Sequence, residues 1–446
     1  MRHKVLHGFG LLMACITGVF LLNARADETL TIEEAMQKAL KNNNYVKSRS
    51  YGLKASKEEL NSATSLFFPR LFLVERYTRG DYPSYAVFTK LNQEKLTFSN
   101  FFTAGTVSNF YTGVSAEMPL LVPELFVTRN MKEASFLSRT KEFERFREEI
   151  AFTVFTTYLT VLKSRAVTEM AARSVDEARE LLRVAKAKVA RGMGLHSDEL
   201  RAFVYLKERE ASLIKSENDL HISRMALSLL LSDDQLYDVV PLDSSRWTRL
   251  PPLEDALAQS LQNRADYLSE EYQARNASHN TSLQRSRFLP KLHAGGTYGR
   301  DSERNPFGAD GDGWMAGISL RWDIFDKTQF DDIDKARYEE MRSKEYLAQK
   351  KREIAFQINE GYRRVDEAKK RFGVATEAVL QAEESFRLIR VRYENNLSTM
   401  VEVLDAEVAL VTARSNAVIF ENDYNEATGR ALFNAGLLLT RLPQGR

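Results

Sequence analysis

Two periodicities run along the chain. From Trp314 to Ile324 the even positions Trp314, Ala316, Ile318, Leu320, Trp322 and Ile324 are all apolar. The odd ones, Met315, Gly317, Ser319, Arg321 and Asp323, are mostly small or polar. Strict alternation predicts a strand with one apolar face, and aromatics near both ends match the anchors of a tilted membrane-spanning strand. A weaker copy sets Phe110, Thr112, Val114, Ala116, Met118 and Leu120 against Tyr111, Gly113, Ser115, Glu117 and Pro119. Strands are therefore predicted over about 110–120 and 314–324. Partners over about 70–78 and 291–299 begin after Pro69 and Pro290, because proline is tolerated at a strand start. A soluble hairpin with one wet face would show the same alternation. Its occurrence twice favours the membrane.

The second periodicity is helical. Val365, Ala368, Phe372, Ala375, Val379, Ala382, Phe386, Ile389 and Tyr393 recur in steps of three and four, the seam of a coiled coil. The same seam stands earlier as Val161, Ser164, Thr168, Ala171, Val175, Ala178, Leu182, Ala185 and Val189. From Thr128 to Ala190 there is neither proline nor glycine. At ~1.5 Å per residue such a run reaches roughly 90 Å, the length of a rod or tunnel wall.

Both patterns belong to an internal duplication. Ile32-Glu33-Glu34-Ala35 matches Leu253-Glu254-Asp255-Ala256, an offset of 221 (253 minus 32). It persists to Phe68-Pro69-Arg70-Leu71 against Leu289-Pro290-Lys291-Leu292. Further along it falls to 204, pairing Gly113 with Gly317. The first half thus carries the longer insertion, within an aromatic-rich stretch from Tyr82 to Phe102. That stretch reads as a loop folding over a barrel mouth or as a partner's docking place. The repeats are expected over 27–240 and 253–446, joined by a linker at 241–252, with long helical hairpins at 129–235 and 327–437.

Residues 1–26 read as a signal peptide. Arg2 and Lys4 precede an apolar stretch from Gly10 to Leu22, and Ala24-Arg25-Ala26 offers a small-x-small cleavage site. Leu12-Met13-Ala14-Cys15 offers a rival reading as a lipoprotein site, disfavoured by the apolar run that would follow the lipid. Cys15 is the only cysteine, which excludes disulfides and thiolate chemistry from the mature chain. After residue 26 no apolar run is long enough for a membrane helix. With 63 basic against 61 acidic residues, nothing points to nucleic acid.

Four strands cannot close a membrane barrel, and an open edge in lipid leaves backbone groups unpaired. Strands in a membrane would therefore have to be shared between chains.

The motifs of catalysis are missing. There is no phosphate-cradling glycine loop, no nucleophile elbow and no histidine pair at ligand spacing. His196, His221, His279 and His293 are isolated. Asp310-Gly311-Asp312-Gly313 begins like a calcium loop, but Trp314 takes a ligand position and no closing Glu follows. The expectation is no enzyme, no cofactor and no metal.

In Leu30-Thr31-Ile32-Glu33-Glu34-Ala35, Phe68-Pro69-Arg70-Leu71, their second copies, and Tyr393-Glu394-Asn395-Asn396-Leu397 running into Val403-Leu404-Asp405-Ala406, the chain resembles the TolC-type outer-membrane efflux protein family. The resemblance spans nearly the whole mature chain. It implies a fold that is mainly α with β: a long α-helical coiled-coil barrel in the periplasm, and a transmembrane β-barrel shared between three chains. It implies a homotrimer in outer-membrane lipid, partnered by a periplasmic adaptor protein and an inner-membrane pump or ABC transporter. Such a channel-tunnel gives passive exit for a tripartite efflux pump or a type I secretion system.

The resemblance also places residues. Gly192-Met193-Gly194-Leu195 and Asn395-Asn396-Leu397 become the periplasmic tips. Glu402 and Asp405 match pore-lining acids, whose rings would select cations. Tyr393 and Asp198 match positions linked by a hydrogen bond. Trp314, Trp322 and Phe110 become barrel interface aromatics. The chain departs from the pattern at Asn396, where glycine is usual, and at Ser398, where some members place an arginine. Plainer roles are open as well: Thr399-x-x-Glu402 is a capping box, Asp198 suits a first helical turn, Asp405 suits a solvated face, and Tyr393 continues the seam. A periplasmic coiled-coil adaptor without a barrel would share the heptads and the leader but not the strands.

Overall fold

The protein is described from a computed structural model over residues 29–103 and 105–443. The leader expected over residues 1–26, Cys15 included, lies outside the described residues. A short strand β1 (Thr29–Leu30) leads into α1 (Ile32–Asn42) and α2 (Asn44–Ser65). Strand β2 (Arg70–Gly80), helices α3 (Pro83–Asn92) and α4 (Phe98–Phe102) and strand β3 (Val107–Leu121) follow. Then comes the first long hairpin, α5 (Pro123–Ala190) with α6 (His196–Leu231). Strand β4 (Asp238–Val239) and α7 (Ser244–Trp247) form the connection. The second half repeats the plan as α8 (Leu253–Asn263), α9 (Ala265–Ser286), β5 (Lys291–Ser302), β6 (Gly311–Arg321), α10 (Lys327–Glu394) and α11 (Met400–Asn434).

The duplication is visible in element lengths. α1 and α8 each have 11 residues, α2 and α9 each 22, and α5 and α10 each 68. Helices of that length reach about 100 Å. Every residue of both predicted seams is buried or half-buried, with Ala368, Phe386, Val175 and Ala178 among the most enclosed.

The main core lies where the halves meet. Tyr158 is buried there and donates to the carbonyls of Leu30 at 2.9 Å and Val240 at 2.6 Å, beside the parallel pair β1–β4. Gly429 lets α11 approach α5 so closely that a Cβ would stand 2.2 Å from the Phe155 ring.

The second sheet is antiparallel, in the order β2-β3-β5-β6, so β2 and β6 are its edges. The register assigns its faces. One face carries Leu73, Val114, Tyr298 and Trp314 in one row, with Ile318 and Leu320 below. These side chains are largely exposed, Trp314 at 79 %. The row Glu75–Thr112–Arg300–Asp312 bounds the apolar belt above, and the Phe110 ring packs tilted against Tyr77 beyond it, with ring centres 4.7 Å apart. The other face is polar: Tyr111 lies across Gly113 and Gly299 and meets Thr297 at 3.2 Å.

The β6 ladder begins at Gly311 and ends at Arg321 opposite Lys291, so the strand sits earlier than its alternation predicts. Pro290 is the next partner in register and has no N–H to continue the ladder. Trp322 and Ile324 extend the apolar belt from outside the sheet, and Trp322 donates to the Phe288 carbonyl at 2.9 Å. Among the described residues no helix is long and apolar enough to cross a membrane.

The aromatic insertion packs on the polar face. Gln93 donates to Ser108 O at 2.8 Å and Asn109 at 2.9 Å, and Tyr85 bonds Thr78. Lys95 reaches Asp310 at 2.7 Å and Glu303 at 3.3 Å, which accounts for the acid that opens the calcium-like sequence.

Candidate functional site

The long hairpins turn at Arg191–Leu195 and Asn395–Thr399, side by side at one end of the molecule. Both turns are built alike. The N–H of Met193 bonds Lys188 O at 2.9 Å and that of Gly192 bonds Val189 O at 3.0 Å. In the second turn Leu397 bonds Arg392 O at 2.8 Å and Asn396 bonds Tyr393 O at 3.0 Å. This is the Schellman ending, which needs one left-handed residue. Gly192 fills it at φ 68° and Asn396 at φ 62°. Asparagine tolerates that region better than other side chains, so its replacement of glycine keeps the turn. Gly194 passes close to α5, where a Cβ would come within 3.0 Å of Lys188 Cβ. Leu195 and Leu397 project outward at 68 % and 67 % exposure.

Between the turns lies a cavity of about 410 Å³, with Lys188, Asp198, Tyr393 and Asn396 in its lining. Lys188 is the residue the sequence reading missed. Its stem is buried, its ammonium donates to Tyr393 O and to Asn396 Oδ1 at 2.7 Å, and it stands 4.3 Å from the Tyr393 ring centre. It ties the end of α5 to the second turn. The available signal was a lysine one turn before the glycine, a spacing equally common in plain helix ends.

Tyr393 and Asp198 line this same cavity, and no hydrogen bond joins them. The Tyr393 hydroxyl is buried without a partner, and burial together with the Asp198 charge pushes its pKa up. Glu402 forms the capping box: it accepts from Thr399 N at 2.8 Å while its own N–H bonds Thr399 Oγ1 at 3.3 Å. Its side chain remains exposed. Asp405, one turn on, is exposed and makes no hydrogen bond or ion pair among the described residues. Ser398 donates to Ile389 O at 3.1 Å. No group of side chains suited to a metal ion occurs among the described residues.

Paired hairpins of this length, set beneath a sheet with an apolar face and two free edges, define the outer-membrane channel-tunnel architecture. The outer membrane efflux protein family model matches residues 35–232 and again 256–431, one match per half, and the chain belongs to that family. No curated protein matches it in sequence. Among solved structures the fold is similar to CusC, described for its transmembrane channel formation, with 16% identity, TM-score 0.77, and 93% of this chain and 92% of that chain covered. It is similar to the outer membrane channel CmeC of Campylobacter jejuni, with 15% identity, TM-score 0.76 and 91% and 86% covered. The open state of the Neisseria gonorrhoeae MtrE channel aligns with 16% identity, TM-score 0.74 and 93% and 91% covered.

Proposed function

We propose that three copies assemble into a passive duct through the outer membrane and across the periplasm. The observation that carries this reading is the four-stranded sheet, whose apolar face is exposed and whose edges β2 and β6 have no partner among the described residues. In lipid such edges must be closed, and pairing β6 of one copy with β2 of the next closes them. The polar face, with Tyr111, Ser115 and Thr297, then lines the lumen. The hairpins extend the duct, and their tips form its periplasmic entrance.

At that entrance three copies of Glu402 and Asp405 would set rings of carboxylate, favouring cations. Tyr393 and Asp198 line one cavity in which the Tyr393 hydroxyl has no partner, which supports a lock at the tip made and released by their contact. A duct without a nucleotide site needs an energised partner, so the expected assembly includes a periplasmic adaptor and an inner-membrane pump or ABC transporter. Leu195 and Leu397, exposed at the tips, are surfaces for such an adaptor.

Membrane fractionation with chemical crosslinking tests the assembly. The duct requires detergent for extraction and a crosslinked trimer. A protein that leaves the membrane in salt alone and runs as a monomer overturns it.

A further inference from the structure

The seam of α11 runs Met400, Val403, Glu407, Leu410, in steps of three and four, with a glutamate where its neighbours are apolar. Glu407 is 0 % exposed. It faces Glu177 of α5 and, from α6, Arg209 and Tyr205, with Ser174 of α5 beside Tyr205. Ala178, Leu206, Val403 and Leu410 belong to the apolar cluster that joins these helices. Neither oxygen of Glu407 reaches a donor. Glu177 Oε2, the Tyr205 and Ser174 hydroxyls and Arg209 Nε are also buried without a partner. The other Glu177 oxygen accepts from Arg414 at 3.4 Å, and Arg414 also bonds Glu383 of α10 at 3.0 Å.

Two facing carboxyl groups, one of them fully buried, cannot both ionise cheaply. Arg414 bonds Glu177. Glu407 has no such partner. Its burial first, and the facing Glu177 second, push its pKa up to about 8. A protonated Glu407 has an O–H to give, and Glu177 Oε2 is the buried acceptor without a donor.

We propose that Glu407 and Glu177 hold one proton between them, and that this proton clamps the second hairpin onto the first just above the tips. Glu407 lies seven residues into α11, about 10 Å from the turn. When the proton leaves, a second negative charge faces Glu177 in a buried site where Arg209 and Arg414 offset it only in part, so water must enter and α11 loosens from α5 and α6. Acid therefore keeps the hairpins together, and a rise through about pH 8 releases them. The consequence for gating rests on the duct reading; the proton site itself does not.

The full-length protein in detergent micelles or lipid provides the test. Infrared titration from pH 6 to 9.5 should show a protonated-carboxyl C=O band that disappears near pH 8 and is missing at every pH in Glu407→Gln. Hydrogen exchange in residues 400–412, taken as the ratio of wild type to Glu407→Gln, should rise by up to about tenfold per pH unit up to about pH 8 and level off above it. Glu177→Gln offers Glu407 an amide donor and should move the band to lower pH. A band absent from wild type, or unchanged in Glu407→Gln, overturns the proton site. An exchange ratio flat with pH overturns the clamp. Bilayer conductance should follow the exchange, and if it alone stays flat while band and exchange titrate, the clamp stands and the duct reading fails.

Discussion

Lys188 Nζ lies 2.7 Å from Asn396 Oδ1, joining the last turn of one long helix to the left-handed residue of the opposite hairpin. The same ammonium donates to Tyr393 O, so one buried charge satisfies two acceptors across the hairpin interface. Lys188→Met keeps the stem and removes the donors. Stranding two acceptors should cost about 2–3 kcal/mol locally. Faster amide exchange over 393–399 and a larger or noisier single-channel current are expected. Unaltered exchange and current would mean that the tips are held by backbone turns alone.

The double role of Glu402 calls for a substitution that separates charge from cap. Alanine removes both, and loss of a capping box costs about 1 kcal/mol. Glutamine can still accept from Thr399 N. Glu402→Gln with Asp405→Asn should therefore leave thermal stability nearly unchanged while weakening block by divalent cations in planar bilayers. If block is unchanged, these acids do not line the narrow part of the pore.

Gly429 is a steric prediction. A methyl group there would meet the Phe155 ring at 2.2 Å, in the contact between α5 and α11. Gly429→Ala should destabilise by about 1–3 kcal/mol, read as a lower unfolding temperature of the helical signal. Adding Phe155→Leu should recover part of the loss. A lack of recovery would show that the clash lies elsewhere.

Arg264, 1 % exposed, is held by both oxygens of Asp266 at 2.6 and 2.9 Å. Burial pushes the Asp266 carboxyl up, but Arg264 bonding and charge, with Arg145 and Lys350, outweigh it and hold the pKa at about 2. A depressed carboxylate stabilises the fold above its unfolded pKa and loses that contribution as pH falls through the folded one. The contribution, about 2 kcal/mol, should be present above pH ~4 and fade toward pH ~2. Asp266→Asn should cost about 3–5 kcal/mol at neutral pH by removing the countercharge of the buried guanidinium, and should flatten stability between pH 4 and 2. Wild-type and variant curves that stay parallel would sink this assignment.

Much of the fold was legible because the seams and the sheet have fixed periods, and the duplication repeats both. Val175 and Phe386 stand at seam positions, which mark them as packing residues. The ends of β6 were not, because Trp322 and Ile324 obey the alternation of the apolar belt after the ladder has stopped at Pro290. At the tips, the sequence marked Gly192, Asn396 and Thr399-x-x-Glu402, whose roles are local. It did not mark Lys188 or Glu407, whose meaning depends on side chains more than 200 positions away. A glutamate and an arginine standing at seam positions, Glu407 and Arg414, were the sign to follow.

The insertion between β2 and β3 leads to a prediction at the opposite end. It lies on the polar face of the sheet, which the duct reading turns toward the lumen. Phe98, Phe101 and Phe102 are exposed there, at 87 %, 50 % and 73 %. Three such segments would narrow the outer mouth, and Lys95 pins each through Asp310 and Glu303. Two partly exposed ion pairs are worth about 1 kcal/mol or less apiece, so their loss frees the segment without unfolding the sheet. Lys95→Met should speed exchange over 83–102 and raise single-channel conductance, with the strands themselves unchanged. Faster exchange at constant conductance would place the segment away from the ion path.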